Sequence, residues 1–443
     1  MRGHPAVALL AALAGLLLAA PPVPAAPPVP AAPPRAAAQP PTTAPFQTPD
    51  TSSCPNRVAP PAPVDLSEAP GPGQPPPAPL SLRARAVGGE RMAECGLVLP
   101  AGTPPLPAGL TPHAWLVADL DSGAVLAARD PHGRHRGAST IKILTALVVI
   151  RELDLGREVV GTEEDANQEG TRVGLGPDGH YTVDQLLHAL LMRSGNDAAH
   201  ALAGQLGGVP ATVRKMDGLA RELGALDTKV VTPSGLDGPG ASVSAYDLGL
   251  IFRVAMREPS FVAILGTALV DFPGFQDKPG FKVANDNRLL ANYPGALGGK
   301  TGFTDDARHT FVGGAQRGGR RLLVVLLRGE QEPVPMWQQA ARLLDFGFAL
   351  PAATEPVGVL VDRAPPAEAS GGAPSMTAEA GTSAVAGPTA PTAESADTAE
   401  AAGADAAADG GGHGAIYLVA LLLVLAGALS AVLWWRRVRP VRR

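Results

Sequence analysis

Cysteine, lysine and clusters of basic residues are scarce in this sequence. Its 443 residues include two cysteines and only six lysines, against 30 arginines, and its net charge is −5. Because no basic cluster occurs before the last eight residues, the sequence gives no basis for nucleic-acid binding. Cys54 and Cys95 accompany no histidine-bearing motif, so neither is a candidate nucleophile.

The two ends of the chain predict a secreted, single-pass protein of the cytoplasmic membrane. Residues 5–20 form an apolar run behind Arg2, too short to span a bilayer, which predicts a signal peptide over residues 1–38. An uncleaved N-terminal anchor is the alternative. Residues 415–435 carry no charge and are long enough to cross a hydrocarbon core of about 30 Å, although a buried core helix is the other interpretation. Five arginines in residues 436–443 predict a cytoplasmic tail, with everything before residue 415 outside the cell membrane.

Two low-complexity segments flank the middle of the chain. The segment over residues 39–104 begins with a stretch dominated by proline and alanine, which favours extended polyproline II structure over a packed core. It contains Cys54 and Cys95, for which a disulfide is favoured outside the cytoplasm and two reduced thiols are the alternative. Residues 351–414 are predicted to be a disordered tether, because residues 364–414 contain seven acidic residues, no lysine or arginine and no aromatic residue.

Residues 105–350 have the alternating patterns of a folded domain. Apolar runs on both sides of turn residues predict two β-hairpins, and helical periodicity occurs between them and at the end. The predicted strands cover residues 113–119, 124–128, 310–315 and 321–327, and the predicted helices cover 141–153, 183–192, 211–223 and 335–350. This order predicts an α/β (α+β) domain in which one antiparallel sheet is built from both ends and a helical region is inserted between them.

The string Ser139-Thr140-Ile141-Lys142 places a hydroxyl and an amine three residues apart. If a helix starts here, both side chains share one face. A serine needs a neighbouring base to become a nucleophile, and lysine can release its proton whereas arginine cannot. The charge-free run 143–150 predicts a buried helix, so burial and a second cation at Lys300 are expected to lower the pKa of Lys142. An N-capping Ser139 beside a solvated Lys142 is the alternative.

The string Ser194-Gly195-Asn196 follows one predicted helix and precedes another, so it is expected in a loop that faces a cleft. Ser194 can relay a proton between Lys142 and a leaving amine. Asn196 can hold both the lysine and a substrate amide. A turn, or a cap on the next helix, explains this triplet equally well on its own.

The string Lys300-Thr301-Gly302 is predicted on a strand beside the second hairpin. Lys300 and the Thr301 hydroxyl can bind a terminal carboxylate, and Gly302 lets a substrate approach the strand closely. The N–H of Phe303, together with that of Ser139, is the predicted oxyanion hole. A solvated lysine at the end of a strand is the alternative if the other two strings are coincidental.

Taken together and in this order, the strings resemble serine D-alanyl-D-alanine carboxypeptidases, which are low-molecular-weight penicillin-binding proteins, and particularly their membrane-anchored actinobacterial forms. The strings that carry the resemblance are 138–142, 194–199, 233–237 and 300–304. The resemblance implies the penicilloyl-serine-transferase (β-lactamase-like) fold, with the site between a five-stranded sheet and a helical region. It implies a nucleophile, a base, a relay pair and carboxylate anchors, namely Ser139, Lys142, Ser194 with Asn196, and Lys300 with Thr301. The implied partners are peptidoglycan stem peptides ending in D-Ala-D-Ala and β-lactam antibiotics, and no metal or cofactor is expected.

Two other functions are weighed against this one. A class A β-lactamase needs a deacylating glutamate, typically in a Glu-x-x-x-Asn string between the second and third motifs, and residues 197–299 contain none. A non-catalytic penicillin-sensing or wall-binding module would have to relay a signal through a cytoplasmic tail of about eight residues, which is too short for a signalling domain. The motifs are compatible with carboxypeptidase, endopeptidase and transpeptidase activity alike.

Overall fold

A computed structural model describes residues 54, 56–83 and 85–366. The predicted signal peptide, the tether beyond residue 366, the apolar run 415–435 and the arginine-rich tail lie outside these residues. Among the residues that are described, no helix combines the length and the apolar character needed to cross a membrane.

A sheet forms the centre of the described part of the chain. The strands are β1 (Leu97–Val98), β2 (Ala114–Asp119), β3 (Ala124–Arg129), β4 (Glu158–Val160), β5 (His180–Thr182), β6 (Leu269–Phe272), β7 (Phe281–Ala284), β8 (Ala296–Thr304), β9 (Arg308–Arg317), β10 (Arg320–Gly329) and β11 (Gly358–Val359). Seven of them make one antiparallel sheet in the order β1-β3-β2-β10-β9-β8, with β11 paired to β3. The pairs β4–β5 and β6–β7 form two small separate sheets.

The large sheet has two strands more than the five that the family resemblance implies. The additional strands, β1 and β11, are two residues long and lie on either side of the predicted 105–350 limits. A strand of this length shows no recognisable alternation in the sequence. Both predicted hairpins are confirmed, because β2 pairs with β3 and β9 pairs with β10.

The helices cover one face of the sheet and part of the other. They are α1 (Lys142–Glu152), α2 (Glu163–Ala166), α3 (Val183–Met192), α4 (Asn196–Gln205), α5 (Val209–Leu223), α6 (Ala245–Ala255), α7 (Pro259–Leu265), α8 (Arg288–Asn292) and α9 (Met336–Ala349). The four helices predicted from periodicity correspond to α1, α3, α5 and α9, within a few residues at each end, and the helix expected after the 194–196 string is α4. Helix α6 was not predicted because all of its residues are buried, so it lacks a polar face and a helical period.

Strand β10 shows how the sheet separates two hydrophobic cores. Leu322, Val324 and Leu326 pack on the side of helix α9, whereas Leu323, Val325 and Leu327 pack on the side of the inserted helices. All six side chains are fully buried, as expected for a central strand whose successive residues point to opposite faces. The inserted helical region is thereby held against one face of the sheet, and helix α9 against the other.

The proline-rich N-terminal segment lies on this domain although residues 56–83 contain no helix or strand. The buried guanidinium of Arg134 donates hydrogen bonds to the backbone carbonyls of Val58, Leu80 and Ser81. Prolines have no N–H, so such a segment offers carbonyl acceptors with few competing backbone donors, and arginine supplies five N–H groups. A disulfide joins Cys54 to Cys95, with the two Cα atoms 5.1 Å apart.

Candidate active site

Ser139 lies on a short 3₁₀ helix, Ala138–Ile141, that leads directly into α1. The preceding residue, Ala138, has a φ of 46°, a left-handed conformation that is costly for a residue other than glycine. Strained backbone of this kind persists only where its surroundings hold it. Part of the support comes from strand β9, because the Thr310 hydroxyl donates a 2.8 Å hydrogen bond to the Gly137 carbonyl.

The Lys142 amine is enclosed by three oxygen atoms. Its Nζ lies 2.9 Å from Ser139 Oγ and 2.7 Å from Asn196 Oδ1, and it also contacts the Ser234 carbonyl. An amide oxygen and a backbone carbonyl can only accept, so they take the two hydrogens of a neutral amine. The nitrogen lone pair is then left for the Ser139 hydroxyl, which is the arrangement that a general base requires.

Burial of Lys142 favours this neutral form. The side chain is fully buried, and its pKa lies well below the ordinary value for lysine because burial penalises the charged form. The positive charge of Lys300 adds to the decrease, while the carboxylates of Asp197 and Asp286 oppose it. Both causes expected from the sequence, burial and the second lysine, are therefore present.

Asn196 is the first residue of helix α4 and is fixed by two further hydrogen bonds. Its side-chain amide donates to the Glu169 carbonyl at 2.6 Å, and its backbone N–H donates to the Thr171 carbonyl at 2.7 Å. Ser194 lies in the turn before this helix with a φ of 61°. The Ser194 residue is largely buried, and its hydroxyl makes no hydrogen bond to another described residue, so it is not joined to Lys142 in this arrangement.

Strand β8 is an edge strand of the described sheet and runs beside Ser139. Its Gly302 leaves little space, since a Cβ added there would be 2.9 Å from the Ser139 backbone nitrogen and would overlap the Thr310 hydroxyl. The next residue, Phe303, is about half exposed, at 48%. One edge of β8 pairs with no other described strand, so its backbone N–H and C=O groups are available to a bound peptide. Ser139 lies next to this strand at Gly302.

Lys300 is fully buried in the same strand and donates a 2.7 Å hydrogen bond to the Thr301 carbonyl. Burial lowers the pKa of Lys300 to about 8, although the negative charge of Asp286 raises it in part. The half-buried Thr301 hydroxyl lies 3.5 Å from an Asp286 oxygen. A hydroxyl on the residue next to a buried cation is a combination that suits a carboxylate ligand.

Two contributors to the site were not identified from the sequence. The Ser234 carbonyl accepts a hydrogen bond from Lys142, and the negative charge of Asp286 raises the pKa of both Lys142 and Lys300. The string 233–237 is a recognisable feature, but a backbone carbonyl gives no side-chain signal. Asp286 lies between β7 and α8 in an ordinary turn sequence, and only the fold brings it to Thr301.

Two groups of acidic and histidine side chains away from the Lys142 amine have a spacing that suits a metal ion. They are His132 with Asp227 and Asp247, and Glu68 with Asp237 and Asp306. In each group an arginine already binds a carboxylate, because Arg134 donates to Asp227 and Arg136 donates to Glu68. Both groups are explained as buried ion clusters that fasten loops.

Comparison with known proteins gives matches over this same region. The family model for D-alanyl-D-alanine carboxypeptidase, Peptidase S11, matches residues 103–331. D-alanyl-D-alanine carboxypeptidase DacB2 of Mycobacterium tuberculosis is 50% identical over 257 residues, which is 57% of this chain and 87% of that protein. DacF of Bacillus subtilis is 32% identical over 240 residues, but the match covers only 61% of its length.

Solved structures give the same result for the fold. The crystal structure of a D-alanyl-D-alanine carboxypeptidase from M. tuberculosis H37Rv aligns with a TM-score of 0.56 at 49% identity, covering 59% of this chain and 99% of that chain. The Streptomyces K15 DD-transpeptidase aligns with a TM-score of 0.53 at 26% identity, covering 56% of this chain and all of the other. The described domain thus has the penicillin-binding-protein fold that the motifs implied.

Proposed function

Since the chain belongs to the Peptidase S11 family of D-alanyl-D-alanine carboxypeptidases, we propose that it removes the terminal D-alanine from peptidoglycan stem peptides through an acyl-serine intermediate. The observation that carries this proposal is the position of the buried Lys142 amine, 2.9 Å from Ser139 Oγ with its other contacts to acceptors only. That arrangement activates a serine without a histidine. β-Lactam antibiotics are proposed to acylate the same hydroxyl.

Acylation begins with attack of Ser139 Oγ on the carbonyl carbon of the penultimate D-alanine, while the hydroxyl proton moves to Lys142 Nζ. The carbonyl oxygen becomes negative and is stabilised by the N–H groups of Ser139 and Phe303. The peptide C–N bond then breaks, and the departing amine takes the proton from Lys142. The Ser194 hydroxyl is the proposed relay for this proton, a role that requires it to turn into contact with Lys142 when the peptide is bound. Water subsequently hydrolyses the ester and restores Ser139.

Substrate orientation follows from the order of residues along β8. The terminal carboxylate is assigned to the Thr301 hydroxyl above Lys300, and the scissile carbonyl to the position beside Gly302. The remaining, amino-terminal part of the peptide then extends along the free edge of β8 toward Phe303.

The proposed activity is tested by measuring D-alanine release from a pentapeptide ending in D-Ala-D-Ala, with a chromogenic cephalosporin assayed in parallel. Rapid turnover of the cephalosporin without D-alanine release would favour a β-lactamase.

Carboxylate recognition gives a pH dependence with a defined sign. Lys300 loses its charge as the pH rises through about 8, so kcat/KM for a D-Ala-D-Ala peptide should decrease above that pH. An analogue with an amidated C-terminus should lack this alkaline decrease, because it carries no carboxylate.

Lys300→Ala should lower kcat/KM for the peptide by about 10- to 150-fold, the equivalent of a charged hydrogen bond of roughly 1.5–3 kcal/mol. Equal losses on peptide and amide would contradict the assigned role.

The cellular location is a separate proposal, supported by the charge-free run 415–435 and the five arginines that follow it. A cleaved signal peptide and this anchor would hold the enzyme outside the cell membrane on a tether. Protease added to intact cells should cut within residues 364–414 and release a soluble, active fragment. Release that requires prior disruption of the membrane would show the opposite orientation.

A further inference from the structure

The N-terminal segment contacts the chain next to each of the two elements that carry the proposed oxyanion-hole donors. Residues 61–68, which we call the clamp segment, bind Arg136 on one side and Asp306 on the other. Arg136 comes three residues before Ser139, and Asp306 comes three residues after Phe303. The clamp segment therefore joins the chain leading into one donor to the chain leaving the other.

The contact with Arg136 is buried and uses all three guanidinium nitrogens. Glu68 accepts from Nε and, at 2.6 Å, from one terminal nitrogen, and the Pro61 carbonyl accepts from the other at 2.7 Å. The arginine side chain is only 3% exposed and the Glu68 side chain 11%. A bidentate arginine–carboxylate pair fixes the orientation of the two side chains as well as the distance between them. Removing the carboxylate would leave the buried arginine charge without its ion-pair partner.

The contact with Asp306 is made by two other groups of the clamp segment. The backbone N–H of Val64 donates to one carboxylate oxygen, and the Ser67 hydroxyl donates to the other at 3.0 Å. Asp306 is 1% exposed and lies in the turn between β8 and β9. The Asp237 carboxylate and the Arg328 guanidinium, which donates to the Asp306 carbonyl, complete the surroundings of this turn.

The local backbone gives this bridge a consequence for catalysis. Ala138 has its unfavourable left-handed φ of 46° two residues after Arg136 and immediately before Ser139. The Thr310 hydroxyl donates to the Gly137 carbonyl, and the clamp segment binds the side chain of the preceding residue, Arg136. Other contacts support this stretch as well, since the Thr140 hydroxyl donates to the Gly137 carbonyl at 2.6 Å and His135 pairs with Val243 through the backbone. Loss of the clamp contact would let part of the strain relax, and the Ser139 N–H would shift from the position that faces Phe303.

We propose that the clamp segment positions the oxyanion hole, with Glu68 and Ser67 as positioning residues that do not touch the substrate. This inference rests on the proposed acyl-serine function. Its consequence is selective: the clamp segment should affect the step in which the carbonyl oxygen becomes charged, and leave binding of the ground-state peptide almost unchanged.

The test compares Glu68→Ala and Glu68→Gln with wild type and with the control Glu94→Ala. Glu94 is also in the N-terminal segment and pairs with an arginine, Arg91, but at an exposed position. Glu68→Ala should lower both kcat for the D-Ala-D-Ala peptide and the acylation rate with benzylpenicillin by about 10- to 100-fold, since a misplacement near 1 Å can cost on the order of 100-fold. KM should change less than about threefold, as expected when an interaction acts only in the transition state. Glu68→Gln keeps one acceptor oxygen and should fall between wild type and Glu68→Ala.

Three results would overturn the proposal: unchanged rates in both Glu68 variants, a rise in KM that accounts for the loss, or equal effects in Glu94→Ala. Rates are expressed per active site titrated with labelled penicillin, so a variant that is partly unfolded cannot imitate the expected result. The isosteric Glu68→Gln variant decides the outcome if Glu68→Ala does not fold. Failure of the proposed function is distinguishable, because wild type itself would then show neither D-alanine release nor acylation.

Discussion

Replacing Lys142 with arginine should abolish acylation by the peptide and by benzylpenicillin alike. The expected loss is about 100- to 10,000-fold, the usual contribution of a general base, because a guanidinium keeps its proton. The buried amine lies 2.9 Å from Ser139 Oγ with its lone pair available, and its other two contacts, an amide oxygen and a backbone carbonyl, are too weakly basic to take the serine proton. In wild type the acylation rate should decrease as the pH falls through the lowered pKa of Lys142, since the protonated amine cannot accept the serine proton.

The measurement is the second-order acylation rate with a fluorescent penicillin, beside thermal unfolding of each variant. Lys215→Arg is the matched control, because this lysine pairs with Glu152 at the surface, where a guanidinium can make the same ion pair. Acylation of a folded Lys142→Arg variant at a rate near that of wild type would show that another group takes the proton.

Gly302→Ala should remove most activity by a steric route. The added methyl group would lie 2.9 Å from the Ser139 nitrogen and overlap the Thr310 hydroxyl, which holds the Gly137 carbonyl. It would therefore occupy the approach to the Ser139 N–H and also push β8 away from the 3₁₀ helix. Loss of one oxyanion-hole donor commonly costs about 100- to 1,000-fold in kcat, and we expect a loss of that order.

The control for this substitution is Gly218→Ala. Gly218 lies in helix α5, and an added Cβ there would meet no atom within 4 Å. Replacing a helical glycine with alanine generally stabilises a helix, so this variant should keep full activity. Kinetics on the peptide and acylation by penicillin are measured for both variants. Full activity in Gly302→Ala would place the oxyanion hole elsewhere.

The sequence predicted those features that depend on spacing along one element. Ser139 and Lys142 are three residues apart at the start of a helix, and their contact follows from helical geometry. The burial of Lys142 followed from the charge-free run after it. The two hairpins were predictable because their turn residues and alternating strands are local signals.

Contacts between distant segments were predictable only where a recognisable motif marked both partners, as for Asn196 and Lys300 beside Lys142. The Ser234 carbonyl reaches Lys142 across 92 residues, and a backbone atom has no sequence signature. Helix α6 is buried on all sides, so it shows no period. The proline-rich composition of the N-terminal segment suggested polyproline II structure, but it gave no sign that Glu68 would bind Arg136.

The most direct test of the central claim is intact-mass spectrometry after exposure to benzylpenicillin. Wild type should gain one penicilloyl group per chain, located on the peptide that contains Ser139, and lose it only slowly because no deacylating glutamate string occurs in residues 197–299. Ser139→Ala, folded to the same extent, should gain none. An adduct on the alanine variant, or hydrolysis of penicillin as fast as that by a β-lactamase, would contradict the assignment of Ser139 as the nucleophile of a D-alanyl-D-alanine carboxypeptidase.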